Sequence, residues 1–288
     1  MPSSSMTRRT AMAGLAAFGI VRPTSAQDRL TIQQTPEWPW QAQTYIRGNI
    51  AAGSLRETLL KRLKNERGIH AETLASAIGA LAGFASQNAA LRRAAEATRN
   101  KQPTFPNIYL AETKDGQRFL LGDWVNAQLL GQAGERFSLV AFIAQGYSQN
   151  GMDETLIAEV TRLIKQTTSL LGDADFGKSH ALEKHKPGFP PIELLQQLWS
   201  TALDVFRQPP PSGVEEPEID EKHWGPICNF VAAQYMEMTK QALDRKVYFT
   251  LAMEAAIICS KLDPEKIDPG KWAITAKDGK LMVSRLRA

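Results

Sequence analysis

The sequence has few of the residues on which small secreted scaffolds and redox centres depend. Its 288 residues include two cysteines, Cys228 and Cys259, and four histidines. Two cysteines exclude a disulfide-rich scaffold, and the lack of a Cys-x-x-Cys pair excludes thioredoxin-like chemistry and haem attachment through paired cysteines. Both thiols lie in apolar helical runs, so they could be small buried hydrophobic residues, or they could form one bridge in an oxidising compartment.

No charge of one sign dominates the chain. It has 34 basic and 30 acidic residues, but Arg8, Arg9 and Arg22 belong to the first 26 residues, which contain no acid. Without that segment 31 basic residues face 30 acidic ones. Such a balance leaves no field of one sign to attract nucleic acid or anionic lipid over long range, and we expect no nucleic-acid partner.

The common catalytic and nucleotide-binding motifs are also missing. There is no G-x-S-x-G nucleophile elbow, no G-x-G-x-x-G turn and no phosphate-binding loop. Serine hydrolase chemistry and nucleotide cofactors therefore have no support, and the sequence leaves any cofactor unknown.

The N-terminal 26 residues have the pattern of an export signal. Adjacent Arg8 and Arg9 precede an uncharged, mainly apolar stretch over 10–21, and small residues follow up to Ala26. The order of paired arginines, short apolar region and small-residue end is typical of a bacterial twin-arginine signal peptide. The apolar stretch is shorter than the roughly 20 residues that span a bilayer. We predict a signal peptide over 1–26 and a mature protein that is periplasmic or secreted.

A cytoplasmic location is the alternative. Met6 offers a second start, and Ala11 and Ala13 replace the phenylalanine and lysine that usually follow the paired arginines. If the N-terminal start is wrongly assigned, the signal-like segment has no role in export.

The mature chain is expected to be mainly α, as a multi-helix globular bundle with one or two small β-hairpins that could form one small sheet. About 43% of the residues are apolar, which suffices for a sizeable core. Apolar periodicity and capping residues predict helices over 39–52, 54–67, 70–99, 124–130, 137–147, 154–171 and 191–206, and two within 224–261.

The helix over 70–99 is the most unusual of these. It has no charge between Thr73 and Leu91, which would suit a membrane span, but polar residues and many alanines dilute the stretch. Ala75, Gly79 and Gly83 fall four apart and share a face that another helix can approach closely, either within the chain or from a second copy. We expect a buried central helix and no stable membrane span in the mature chain.

Two Asp-Gly turns predict the hairpins. Strands over 108–113 and 117–121 flank Asp115-Gly116, and strands over 272–276 and 280–286 flank Asp278-Gly279. Between the helices, the segment over 208–222 is rich in proline and acid and predicts a linker. The expected organisation is a helical domain over 27–207 with a hairpin near 107–121, then this linker, then a C-terminal helical segment over 223–288 with a terminal hairpin, packed on the first domain.

A long loop over 172–190 carries the first candidate site. His180, Glu183 and His185 lie close in sequence, and Asp173 or Asp175 could replace Glu183 as a third metal ligand. Five positions on a helix would rotate the two histidines by about 140°, but an irregular loop could still bring both imidazoles to one ion. The simpler alternative is a polar surface loop with solvated histidines.

Glu254 is the candidate catalytic residue. It is the one charged residue in an otherwise largely apolar run over 247–260. A buried carboxylate there would suit proton transfer. The alternative is an exposed stripe shared with Thr250 and Lys261.

The sequence thus favours an exported, helix-rich binding or interaction protein without catalytic activity, whose partner is an unknown protein or small molecule. The alternative is a metal-assisted hydrolase that uses His180, His185 and Glu254.

Overall fold

The computed structural model describes residues 46–105, 107–131, 137–147, 154–209, 219–277 and 280–286. The predicted signal peptide and most of the predicted linker lie outside these ranges. The helices are α1 (Ile46–Leu63), α2 (Ala71–Arg99), α3 (Asp123–Leu130), α4 (Leu139–Tyr147), α5 (Glu154–Ser169), α6 (Pro191–Phe206), α7 (Glu221–Thr239) and α8 (Arg245–Cys259). The strands are β1 (Lys64–Asn65), β2 (Gly68–Ile69), β3 (Tyr109–Glu112), β4 (Arg118–Leu121), β5 (Trp272–Lys277) and β6 (Lys280–Arg285). The mainly α fold with small hairpins is confirmed.

Helix α2 forms the centre of the molecule. It packs against α1, α3, α6, α7, α8 and β6. Its length and composition would allow a membrane span, but 94% of its most apolar window is buried inside the protein. Other helices therefore cover the apolar surface of α2.

Two glycines allow α2 and α8 to approach closely. A Cβ atom on Gly79 would lie 2.2 Å from the carbonyl oxygen of Ala252, and one on Gly83 would lie 2.2 Å from that of Ala256. Because the residue numbers increase in the same direction on both helices, from Gly79 and Ala252 to Gly83 and Ala256, the two helices run parallel. The small-residue face predicted from the sequence thus packs within the chain.

The structure joins two predicted helices into one. Helix α1 continues through Gly53 and Ser54, so the predicted boundary between helices over 39–52 and 54–67 is wrong. Ala51, Ala52 and Leu55 are all buried on both sides of that point. A continuous buried face outweighs a local start signal, because burial of apolar surface contributes more than one cap.

The two predicted hairpins form but do not join into one sheet. The three two-stranded sheets in the described residues pair β1 with β2, β3 with β4, and β5 with β6. The free edge of β4 is instead occupied by the segment after α8, where Phe119 bridges to Leu262 and the Leu120 amide donates to the Lys261 carbonyl at 3.0 Å. The two hairpins still pack together, because Leu120, Trp272 and Val283 belong to one small buried cluster.

Helices on both sides of the predicted linker share one core. Helices α7 and α8 form the most extensive packing with α2, and residues from 51 to 262 belong to the same buried apolar cluster. At the linker ends, Arg47 donates to the carbonyl of Gln208 at 2.6 Å, and buried Ile219 accepts from the indole of Trp224 at 3.1 Å.

Candidate functional site

The predicted histidine loop is an Ω-shaped loop on the surface of the helical body. Its two ends meet, since a Cβ atom on Gly177 would lie 2.3 Å from Cδ1 of Ile192. Gly177 has a φ of +90°, a left-handed conformation that favours glycine. Apart from a 3-10 turn over Glu183–His185, the loop has no regular structure. We call residues 177–190 the anchored loop, because one buried and one partly buried carboxylate hold it at two points.

Glu254 on α8 forms the first anchor. Its Oε2 accepts from the Ser179 hydroxyl at 2.8 Å, and its Oε1 accepts from the backbone amide of His180 at 2.9 Å. The Nδ1 atom of His180 lies 3.1 Å from the same Oε1. Both oxygens of a buried carboxylate are therefore occupied by donors of the loop.

Glu72 and Thr73, in the first turn of α2, form the second anchor. The Nδ1 atom of His185 lies 3.1 Å from Glu72 Oε1, and Nε2 of His70 lies 3.2 Å from Glu72 Oε2. The amide of Gly188 donates to the Thr73 hydroxyl at 2.8 Å. The first turn of α2 thus holds the far end of the loop through the side chain of His185 and the backbone amide of Gly188.

The two anchors hold His180 and His185 at different places. Since α2 and α8 run in the same direction with Gly79 beside Ala252, Glu72 and Glu254 differ by nine residues in level, which is about 13 Å along the helices at 1.5 Å per residue. Two histidine ligands of one zinc ion would need their nitrogens within about 4 Å of each other.

The predicted metal ligands are therefore not brought together. Glu183 is 86% exposed in its side chain and pairs with Lys186, and Asp175 pairs with Lys178. Over the described ranges, no three His, Cys, Asp or Glu residues converge as a metal site requires. The two histidines instead bind carboxylates on two different helices.

The structure buries Glu254, and the exposed-stripe alternative is wrong. Glu254 and Lys261 are each only 3% exposed. This burial matches the environment that the sequence predicts for a proton-transfer group. Both oxygens of Glu254 accept hydrogen bonds from the loop, however, so the carboxylate also holds the loop in place. His180 is held with Nδ1 toward the carboxylate, as in sites where a carboxylate orients an imidazole.

An ion pair on α5 lies beside this anchor. Glu159 accepts from Arg162 at 2.8 Å and from the hydroxyl of Thr250 at 3.0 Å. The hydrogen bond from Arg162 lowers the pKa of Glu159 below its usual value, and this effect exceeds the opposing effect of burial. The hydrogen bond from Thr250 to Glu159 thus links α8 to α5 one helical turn before Glu254.

The anchored loop exposes two large apolar side chains among paired charges. Leu182 is 70% exposed and Phe189 is 44% exposed. Lys178, Lys184 and Lys186 are exposed as well. Both histidine rings are partly exposed yet contact carboxylates of the helical body, while two large apolar side chains are exposed to solvent.

We expect Glu254→Ala to lower the free energy of unfolding by about 3 kcal/mol, because three donors of the loop lose a buried acceptor. Glu254→Gln keeps the shape and one acceptor oxygen, so its loss is smaller. Urea unfolding of both variants measures the difference. Unchanged midpoints in both would contradict the anchor.

The sequence did not predict the burial of two lysines, Lys261 and Lys271. Lys261 binds the side-chain oxygen of Asn126, and Lys271 binds that of Asn88 at 2.9 Å. Burial lowers the pKa of Lys261 to about 7 and that of Lys271 to about 8. The one signal in the sequence is the position of Lys261, which directly follows the apolar run of α8.

The buried Lys261 predicts a pH dependence of stability. The folded protein releases this proton near pH 7, whereas the unfolded chain keeps it up to its ordinary value of 10.5. Between these values the unfolded state binds more protons, so the free energy of unfolding rises with pH by up to about 1.4 kcal/mol per unit. Lys261→Met should reduce this slope most clearly between pH 7 and 8, as measured by urea unfolding, because the lowered pKa of Lys271 adds its own rise above about 8. An equal slope in both proteins would contradict this expectation.

Comparison of the chain with protein-family models, curated proteins and solved structures finds no match.

Proposed function

We propose that the protein is an exported, non-catalytic binding protein whose anchored loop contacts the partner. The observation that carries this proposal is the orientation of the loop. Hydrogen bonds to Glu254 and Glu72 fix the loop to α8 and α2, while Leu182 and Phe189 are exposed to solvent. Exposed apolar side chains on a rigidly held segment favour binding, because little conformational freedom is lost in the complex.

Site-specific photo-crosslinking tests the proposal. A photoreactive amino acid replaces Leu182 in the full chain, and the matched control carries it at Met238 on α7, which is 55% exposed. Cells that export the protein are irradiated, and adducts are analysed by mass. We expect an adduct at position 182 and none at 238. No adduct at 182, or the same adducts at both positions, would refute a binding role of the loop.

Export is the second part of the proposal and rests on the paired arginines and the apolar stretch of residues 1–26. A C-terminally tagged chain should appear in the periplasm or medium, shortened by the signal, and should stay in the cytosol when twin-arginine transport is disabled. Full-length protein in the cytosol under both conditions would refute export.

A hydrolase is the second candidate, and one observation favours it. Glu254 holds Nδ1 of His180, so that the imidazole has the orientation of a general base. A surface depression of about 470 Å³ is lined by α5, including Arg162, but not by His180 or Glu254. Ester hydrolysis lost in His180→Gln, or stoichiometric zinc, iron or manganese in the purified protein, would favour this candidate over simple binding.

A further inference from the structure

Strand β5 has an outer edge that pairs with no other strand among the described residues. The amide of Leu286 donates to the Lys271 carbonyl at 2.9 Å, which sets the alternation of hydrogen bonds along the β5–β6 pair. By this alternation the backbone groups of Thr275 face β6, whereas those of Ile274 and Ala276 face away from it. Within the described part of the chain, no hydrogen bond reaches these outward amides and carbonyls.

The neighbouring hairpin edges are covered. On β6 the amide of Val283 donates to the Thr98 hydroxyl at 3.2 Å, and the carbonyl of Leu281 accepts from the Thr104 hydroxyl at 3.0 Å. The edge of β4 pairs with the segment that follows α8. Strand β5 differs from both in that its outward groups keep their hydrogen-bonding capacity.

The edge of β5 also lacks the features that prevent strands from pairing with other chains. Charged side chains, prolines and bulges are the usual means of protection. Residues 272–276 contain no charge and no proline, and they pair with β6 without a bulge. Thr275 and Ala276 are exposed, so another extended chain can reach the edge.

The sequence of this edge favours a second copy of the chain over a foreign strand. An edge that selects a foreign strand requires a feature against self-pairing, such as a charge at the residue that would meet itself. Antiparallel pairing about a two-fold axis at Thr275 places Ile274 of each copy opposite Ala276 of the other. Thr275 then meets its own equivalent, and cross-strand threonine pairs are favourable. Self-pairing in this register therefore meets no repulsion between the paired side chains.

We propose that two copies of the protein pair along β5, so that their C-terminal hairpins form one continuous antiparallel sheet in the order β6, β5, β5, β6. Each pair of Ile274 with Ala276 exchanges two backbone hydrogen bonds. Strand pairing alone buries less than the roughly 1,200 Å² of stable complexes, so the dimer is weak and forms with rising concentration. The inference is independent of the proposed function of the anchored loop.

Sedimentation velocity of the purified protein from about 1 μM to about 1 mM tests the dimer. Thr275→Lys and Thr275→Glu each place like charges opposite one another, and each should weaken dimerisation on the order of tenfold. An equimolar mixture of the two variants should restore it, because unlike charges then meet. The matched control Ser284→Lys adds a charge on the same exposed face of the hairpin but on β6, and should dimerise as the parent does.

A proline variant tests the backbone contact itself. Ala276→Pro removes an amide that faces away from β6, so the hairpin keeps its own hydrogen bonds while the dimer loses a donor. We expect a monomer at all concentrations and a melting temperature close to that of the parent. Ala276→Ser keeps the amide and should dimerise normally.

A parent that stays monomeric up to about 1 mM would overturn the inference. A parental dimer that is unchanged in Thr275→Lys and Ala276→Pro would overturn it as well, because the copies would then associate through another surface. If the parent is monomeric and a photoreactive residue at position 275 links a different protein in cells, the edge binds a foreign strand and the second copy is the wrong occupant.

Discussion

Gly83→Ala is expected to destabilise the protein on the order of 3 kcal/mol, although it adds only one methyl group. The new Cβ atom would lie 2.2 Å from the carbonyl oxygen of Ala256 and 2.8 Å from its Cα atom. Both are backbone atoms, so α2 and α8 must separate, and the core between them loses contacts. Urea unfolding gives the change in free energy.

Gly53→Ala is the matched control, because Gly53 also lies inside a helix but has no atom within 4 Å of an added Cβ. Alanine there should stabilise α1 by about 0.5–1 kcal/mol, since glycine is the poorer helix former. Because the face of Gly83 packs within the chain, the molecular mass in light scattering should stay unchanged in both variants. Equal stabilities, or a dissociating oligomer in Gly83→Ala, would contradict the close helix pair.

Glu221→Ala is expected to cost about 3–5 kcal/mol, because it removes the counter-charge of a buried cluster. Glu221 is buried at the start of α7, and Arg285 Nη2 forms an ion pair with its Oε1 at 2.7 Å. Lys271 lies 3.8 Å from the same oxygen, and Arg92 lies 3.7 Å from Oε2. Among the residues that the structure describes, the buried ammonium of Lys271 would then keep one nearby carboxylate, Asp268 at 3.9 Å.

Glu237→Ala is the control on the same helix. Glu237 pairs with Lys240 and Arg245 at the surface, where water screens the charges. Its removal should leave the urea midpoint nearly unchanged. The contacts of Glu221 with Arg285 and Lys271 connect α7 to the C-terminal hairpin. Equal losses of stability in Glu221→Ala and Glu237→Ala would contradict a stabilising role of these contacts.

Local patterns predicted much of the fold. Helix α6 begins at Pro191 and ends at Phe206, as predicted, because proline at the first turn and a regular apolar stripe are both local signals. The two helices predicted within 224–261 form as α7 and α8, with the break over 240–244. Helix α1 was predicted as two pieces, because only the tertiary structure shows that one buried face crosses Gly53.

The candidate site could be predicted only in part. Glu254 stood out because a single charge in an apolar run is unusual, and the structure buries it. Its partner His180 lies 74 residues away and the pair of His185 with Glu72 spans 113 residues, so no spacing rule connects them. The cluster of Glu221 with Arg92, Lys271 and Arg285 was missed for the same reason, since these contacts join segments that are distant in sequence.

Amide hydrogen exchange in the anchored loop tests the central claim most directly, namely that carboxylates and a hydroxyl of α2 and α8 hold this loop in place. The amide of His180 donates to Glu254 and that of Gly188 donates to Thr73, although neither residue lies in a helix or strand. We expect both amides to exchange slowly in the parent, while that of His180 alone becomes fast in Glu254→Ala. Exchange of both amides at the rate of an unstructured chain in the parent would contradict the claim.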